Sequence, residues 1–311
     1  MVFINLYIYH HNYQITDIEP ALVATDPQKI LQKLSSIHLD SSKNFDCPEL
    51  AIGGLEEGIK HALPNSIAFV ISDATAKDVN KYKSVLKTMQ NKQITANFLL
   101  TGDCGERAGE GYDVYTKLAR YSNGQVFDMK SEGVKEVILA IQTQLDDDFT
   151  TLKYLIKDAA GTSTEEFSVD STITEIQISL SGSNPSMVIK NPLGEIITGT
   201  VTSMANLIIV KILNPMPGKW TVEVKSSSKH SIRFGAISSL KVGFGFSADT
   251  PSKLAETSNR PAKGVPNVLS IYAPELDGDL TEAVLELQPI DERWGRRRRE
   301  LSGSIYIATK S

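Results

Sequence analysis

Apolar residues along the first 148 positions alternate between short unbroken runs and sets spaced three and four apart, which predicts strands and helices in turn. The run at Val2, Phe3, Ile4, Leu6 and Ile8 within Met1 to Tyr13 reads as a strand covered on both faces. Asp26 and Pro27 then open a helix with Ile30, Leu31, Leu34 and Ile37 on one face. A second helix starts at Pro48, directs Leu50, Leu55, Ile59 and Ala62 inward and stops near Pro64. Ile67 to Ile71 is a buried strand closed by Ser72 and Asp73. Val79, Tyr82, Val85, Leu86 and Met89 mark the next helix, and Ile94 to Leu100 the next strand. Tyr112, Tyr115 and Ala119 mark a helix, Val126 and Phe127 a short strand, and Val134, Val137, Ile138, Ile141 and Leu145 the last helix. Strands alternating with helices predict an open, largely parallel α/β sheet, doubly wound with helices on both faces.

From about residue 160 to 250 the helical period is lost, and β-branched runs are separated by Gly, Pro, Asn and Ser, the pattern of an antiparallel β-sandwich. Ile173 to Leu180 alternates with Ile176, Ile178 and Leu180 inward. Asn191 to Gly194 turns a hairpin, Leu207 to Leu213 is a strand, and Pro215 to Gly218 leads into Trp220, Val222 and Val224 facing the core. Ser231 to Ile237 and the glycine-rich Val242 to Phe246 complete about seven strands. Residues 251–266, rich in Pro, Ser, Lys and Ala, predict a linker, and 267–311 a partial third β domain too short to close on itself.

Composition narrows the function. The 311 residues are 41% apolar and 22% charged with a net charge of -5, so a core can form and a basic face for nucleic acid is not expected. No stretch is long and apolar enough to predict a membrane span. Two cysteines make neither a disulfide-dense scaffold nor a four-cysteine zinc site. No nucleophile elbow, phosphate loop or dinucleotide fingerprint is present, and His10 and His11 lack the spacing of a zinc motif.

In an open α/β sheet, ligands meet the loops at the carboxyl ends of the strands. Three loops qualify: NFDCPE from Asn44 to Glu49, SDA from Ser72 to Ala74, and TGDC from Thr101 to Cys104. They supply Asp46, Glu49, Asp73 and Asp103, hard oxygen donors suited to a divalent cation; the alternative reading is that Asp46 and Asp73 only cap helices.

The run from Thr25 to Phe127, with DCPE opening a helix, an Asp-Ala pair closing a strand and TGDC closing the next, resembles the von Willebrand factor A domain at the amino end of hemicentins. NPLGEIITG and PMPGKWTVEVKSSSKHSIRFGAIS resemble the galactose-binding-like sandwich that follows it there, and RPAKGVPNVL the start of the next β domain. The resemblance implies an extracellular matrix or adhesion protein, secreted, whose partners are matrix or cell-surface proteins. It implies a metal-ion-dependent adhesion site for Ca or Mg in the intact parent, of which this chain retains Asp73, with Asp46 and Glu49 standing where a Thr is usual. The Asp-x-Ser-x-Ser loop of that site would precede Met1, so this chain is expected to require no cofactor and to be part of a longer product whose signal peptide lies upstream. The family's missing central strand would leave its neighbours, here Phe3 to Tyr9 and Ile67 to Ile71, to pair directly or to split around a gap with apolar surface exposed. Cys47 and Cys104 lie on loops at one sheet edge and match cysteines of the family, which points to a disulfide and an oxidising compartment; two small buried thiols are the alternative.

Adhesion by surface contact is therefore the expected function. A metal-dependent hydrolase lacks its nucleophile and base. A carbohydrate-binding sandwich would have to expose some of Trp220, Phe234, Phe244 and Phe246. Arg296 to Arg299 is a basic run that suits a solvated loop, with polyanion binding or convertase cleavage as the alternatives.

Overall fold

The computed structural model describes residues 4–6, 9–12, 15–18, 22–37, 47–105, 107, 109–129, 133–258, 261–262, 264–272 and 307–308. Asp46, Arg296 to Arg299 and most of the expected third domain lie outside the described residues. The chain forms two compact units, Met1–Ile237 and Ser238–Ser311.

The first unit opens with β1 (Ile4–Leu6), β2 (Tyr9–Asn12), β3 (Ile15–Ile18), β4 (Leu22–Ala24) and α1 (Pro27–Ser35). β1 pairs antiparallel with β4, and β2 with β3. The expected single buried strand is thus two short ones, each in an antiparallel pair within the first 24 residues and neither in the parallel sheet. α1 is capped by Asp26, whose Oδ1 accepts from the Gln28 N–H at 2.9 Å. It buries no residue, contrary to its amphipathic pattern, because a two-stranded ribbon is too small to cover a helix face.

Next come α2 (Ala51–His61), β5 (Ile67–Ser72), α3 (Tyr82–Lys92), β6 (Thr95–Leu100), α4 (Glu110–Tyr121), β7 (Val126–Asp128) and α5 (Val134–Gln144). β5, β6 and β7 form a parallel sheet in that order. α2, α3 and α4 cover one face, where Ile52, Ile59, Leu86, Met89, Tyr115 and Leu118 close over Val70, Ala96, Phe98 and Leu100. α2 begins at Ala51 rather than Pro48, because Glu49 is held extended, its N–H donating to the Thr75 carbonyl and its own carbonyl accepting from Lys77, each at 2.8 Å. β5 is covered on one side only: Ile67, Phe69 and Ile71 are 38%, 39% and 66% exposed. This is the split arrangement with apolar surface left open, β1 having paired with β4.

Eight strands follow in two antiparallel sheets: β8 (Phe149–Lys157), β9 (Gly161–Val169), β10 (Ile173–Ser181), β11 (Ser186–Lys190), β12 (Thr200–Ser203), β13 (Leu207–Leu213), β14 (Gly218–Ser226) and β15 (His230–Ser238). The orders are β12-β13-β10-β15-β8 and β11-β14-β9. Ile176, Ile178, Leu180, Val210 and Phe234 of the larger sheet meet Phe167, Trp220, Val222 and Val224 of the smaller. The α/β fold followed by a β-sandwich is the architecture the periodicity predicts. The glycine-rich strand, however, is not part of the sandwich: β16 (Gly243–Ser247) pairs antiparallel with β17 (Val268–Tyr272), which pairs with β18 (Ile307–Ala308), in the second unit. Phe244 and Phe246, two apart on β16 and so on one face of it, meet there edge to face at 6.4 Å.

Glu165 of β9 ties the two sheets together, 2.6 Å from Lys157 and 3.5 Å from Lys153 of β8. Burial disfavours its charge, but the lysines outweigh it and hold the carboxyl below its usual 4.5. A carboxyl lowered in the folded state contributes stability above pH 4.5 that is lost as pH falls through the folded value. Urea titrations at falling pH should therefore show the stability gap between wild type and Glu165→Gln closing below pH 4.5.

The larger sheet also packs its outer face on the α/β half. Leu207 and Ile209 of β13 join Leu99, Phe127, Met129, Val137, Ala140 and Ile141 in a third core. Ser181 Oγ donates to the Val126 carbonyl at 2.6 Å, Gln177 to the Ala140 carbonyl at 3.3 Å, and Arg233 to the Asn123 carbonyl at 2.7 Å. Partly buried Lys229 reaches buried Asp113 of α4 at 2.5 Å. The sandwich thereby covers β7, whose carbonyls would otherwise meet water or a stray strand.

Candidate functional site

The carboxyl ends of β5, β6 and β7 lead into the loops that carry the acidic residues. The Thr101 N–H donates to the Ser72 carbonyl at 3.0 Å, continuing the β5–β6 ladder by one step. Gly102 then passes so close that an added Cβ would drive into the Asp73 carbonyl oxygen, so only glycine lets the two loops run together. Asp78 reaches back to cap α2, accepting from the N–H groups of Ile52 and Gly53 at 3.2 and 2.6 Å. Tyr115 OH donates to the Ala74 carbonyl at 3.2 Å. Cys47 and Cys104 are joined by a disulfide with a Cα–Cα distance of 5.8 Å, which staples the first loop to the third. Cys104 stands in the left-handed region with φ 51°.

The acids on this scaffold are in different states. Asp73 is exposed. Glu49 is buried beside Thr75 and Ala76. Asp103 accepts from the Gly105 N–H at 2.9 Å and pairs with Arg107 at 3.3 Å. Asp128, at the end of β7, is buried and held by Arg107, by Tyr112 OH at 2.9 Å and by the Asn206 amide at 3.2 Å. Burial pushes the Tyr112 phenol well above its usual value, which keeps it a donor to that carboxylate at any physiological pH. Arg107 also lies over the Tyr112 ring at 5.3 Å.

Asp103 and Asp128 thus have their charge met by Arg107, and no three acidic, histidine or cysteine side chains converge as a metal cage among the described residues. The donors among the described residues do not by themselves fit a divalent cation. Asp73 and Glu49 share the rim, one facing water and one facing the protein. Arg107, Asp78 and Asp128 escaped the sequence reading. The signal for Asp128 was its place as the last residue of the short β7, next to the position that Asp73 takes just after β5; the signal for Arg107 was a lone cation within an acidic loop.

Of the four aromatics considered for sugar binding, Trp220, Phe234 and Phe246 are buried and only Phe244 is exposed. The Trp220 indole donates to the Met216 carbonyl at 2.8 Å and so serves the sandwich core. No helix among the described residues is long and apolar enough to cross a membrane.

Comparison with known proteins agrees with this architecture. Residues 4–131 match the von Willebrand factor A domain, and residues 150–239 the hemicentin galactose-binding domain-like family. Human hemicentin-1 is 31% identical over 282 residues, which are 88% of this chain and 5% of that protein. Mouse hemicentin-2 is 32% identical over 266 residues, 84% of the chain and 5% of the relative. Mouse von Willebrand factor A domain-containing protein 7 is 25% identical over 249 residues, 73% of the chain and 27% of the relative. The chain spans about 5% of the length of the hemicentins it matches. With an A domain and the hemicentin-type sandwich in this order and joined through β7, the chain is hemicentin-like.

Proposed function

We propose that the chain is an extracellular adhesion or matrix module that acts by protein–protein contact, presenting the acidic rim around Asp73 to a matrix or cell-surface protein. The observation that carries this reading is the stapled rim. Three loops are fixed by the disulfide and by backbone hydrogen bonds, and an exposed carboxylate stands on them with no base–nucleophile pair beside it among the described residues. Ser72, the nearest hydroxyl in sequence, bonds the backbone of Ala74. A rigid, charged surface of this kind gives specificity and on-rate to protein contact and offers little to catalysis. The disulfide suits an oxidising, extracellular setting. Cation assistance, in which Asp73 would act with Asp46 and Glu49 toward Ca or Mg, belongs on this reading to the intact parent, and the contact made by this chain does not depend on it.

Solid-phase binding of the full chain to solubilised basement-membrane proteins tests this. Asp73→Arg should lower binding about tenfold, the exposed control Asp147→Arg should not, and EDTA should leave wild-type binding unchanged. Wild-type binding by Asp73→Arg would remove the rim from the contact, and loss in EDTA restored by Mg or Ca would place a cation at it.

A further inference from the structure

We propose that the outer edge of β12 is a docking site for an extended peptide carrying a lysine or arginine, taken up as an additional strand of the sandwich and using none of the rim residues. β12 ends the larger sheet, and no described strand pairs with its outer edge. Its register sets Thr202 opposite Ile209 and Thr200 opposite Lys211. The Met204 N–H donates to the Leu207 carbonyl at 2.8 Å, so 204 and 207 are a hydrogen-bonded pair. The alternation of an antiparallel ladder makes Thr202 and Thr200 the next such positions, which turns the N–H and C=O groups of Val201 and Ser203 outward.

Edge strands of stable proteins are commonly blunted by charge or proline. β8, the opposite edge of the same sheet, carries Lys153 and Lys157, whereas β12 reads Thr-Val-Thr-Ser with neither charge nor proline. A groove of about 450 Å³ runs beside it, lined by Gly133 and Glu136 of the α5 end and by Val201 to Ala205. Glu136 Oε2 is buried there without a hydrogen-bond partner among the described residues. Thr202 stands opposite Ile209, which packs against α5, so a peptide residue alongside Thr202 would project its side chain on the α5 side of the sheet. Outward backbone groups supply affinity for an extended chain of any sequence, and the carboxylate selects a cation at one position.

Fluorescence anisotropy with the full chain tests the proposal. The probes are labelled ten-residue peptides of alternating threonine and valine with arginine, alanine or glutamate at the centre, and an arginine peptide N-methylated at alternate residues. The arginine peptide should bind about tenfold tighter than the alanine peptide, the glutamate peptide weakest, and the N-methylated one not at all. Glu136→Gln should bring the arginine peptide to the level of the alanine peptide. Val201→Pro, which removes an outward donor, should abolish binding; hydrogen exchange at Val201 and Ser203, slowed most by the arginine peptide and not at all by the N-methylated one, gives the same answer should that variant misfold. Equal binding of arginine and glutamate peptides, absence of binding by every peptide, or wild-type affinity in Glu136→Gln would each overturn the proposal.

Discussion

Replacing Lys229 by methionine should lower the unfolding free energy of the first unit by about 3–5 kcal/mol, the usual cost of leaving a buried charge without its partner. The Lys229 and Asp113 side chains are only 16% and 8% exposed and their charged atoms are 2.5 Å apart. The second carboxylate near Lys229, Asp158, is 77% exposed at 3.2 Å and contributes little in comparison. Removing the ammonium leaves the Asp113 carboxylate stranded between α4 and the sandwich. Adding Asp113→Leu should restore most of the loss, because two apolar groups replace an ion pair at small net cost. Urea unfolding of the two single variants and the double variant measures all three terms. A loss under about 1 kcal/mol for Lys229→Met would mean that water reaches the pair and that the two folds do not close over it.

Cys104→Ser should cost about 4 kcal/mol in the chain-entropy account, since the bond closes a loop of 57 residues in the unfolded chain. Cys47→Ser should cost the same and the double variant no more, because one bond is lost in every case. The loss has a second, local signature. With Cys104 released from φ 51°, the amides of the rim loops at 47–50, 72–78 and 101–105 should exchange faster, while Val222 and Val224 of the sandwich keep their protection relative to the new global stability. Calorimetry and hydrogen exchange read the two effects separately. Unchanged exchange in the rim loops would remove the staple from the account of the site.

The strands and helices of the α/β half were legible because each carries a strong period of its own. Phe98 and Leu100 on one side of β6, with Leu99 on the other, make a run that only a doubly covered strand tolerates. The packing of the sandwich against that half was not legible, for a reason visible in β10. Its alternation places Ile176, Ile178 and Leu180 inward, so Gln177, Ser179 and Ser181 read as facing water, yet all three are at most 5% exposed. Small polar residues that bond to a neighbouring backbone look the same in sequence as residues bonded to solvent. The clue lay in β13, where Leu207, Ile208, Ile209 and Val210 are apolar without alternation and serve two cores, one on each face.

At the rim, the residue types were legible and their commitments were not. Asp73, Glu49 and Asp103 all look like oxygen donors on loops, but only the fold shows Asp103 drawn to Arg107 and Glu49 turned into the protein. The first 24 residues were misread for a different reason. A near-continuous apolar run predicts a strand, whereas nothing in its local period names the partner. That partner is β4 for β1 and β3 for β2. The same limit separated β16 from the sandwich, since pairing between strands distant in sequence leaves no local period.

Native-state hydrogen exchange on the full chain tests most directly whether the A domain and the sandwich form one cooperative body joined through β7. Amides of β6, at Ala96 to Leu100, and of β10, at Ile176 to Leu180, should open with the same free energy, and Lys229→Met should lower both by the same amount. Two distinct opening free energies, with Lys229→Met moving only one of them, would show two independently stable folds in contact and would contradict the account.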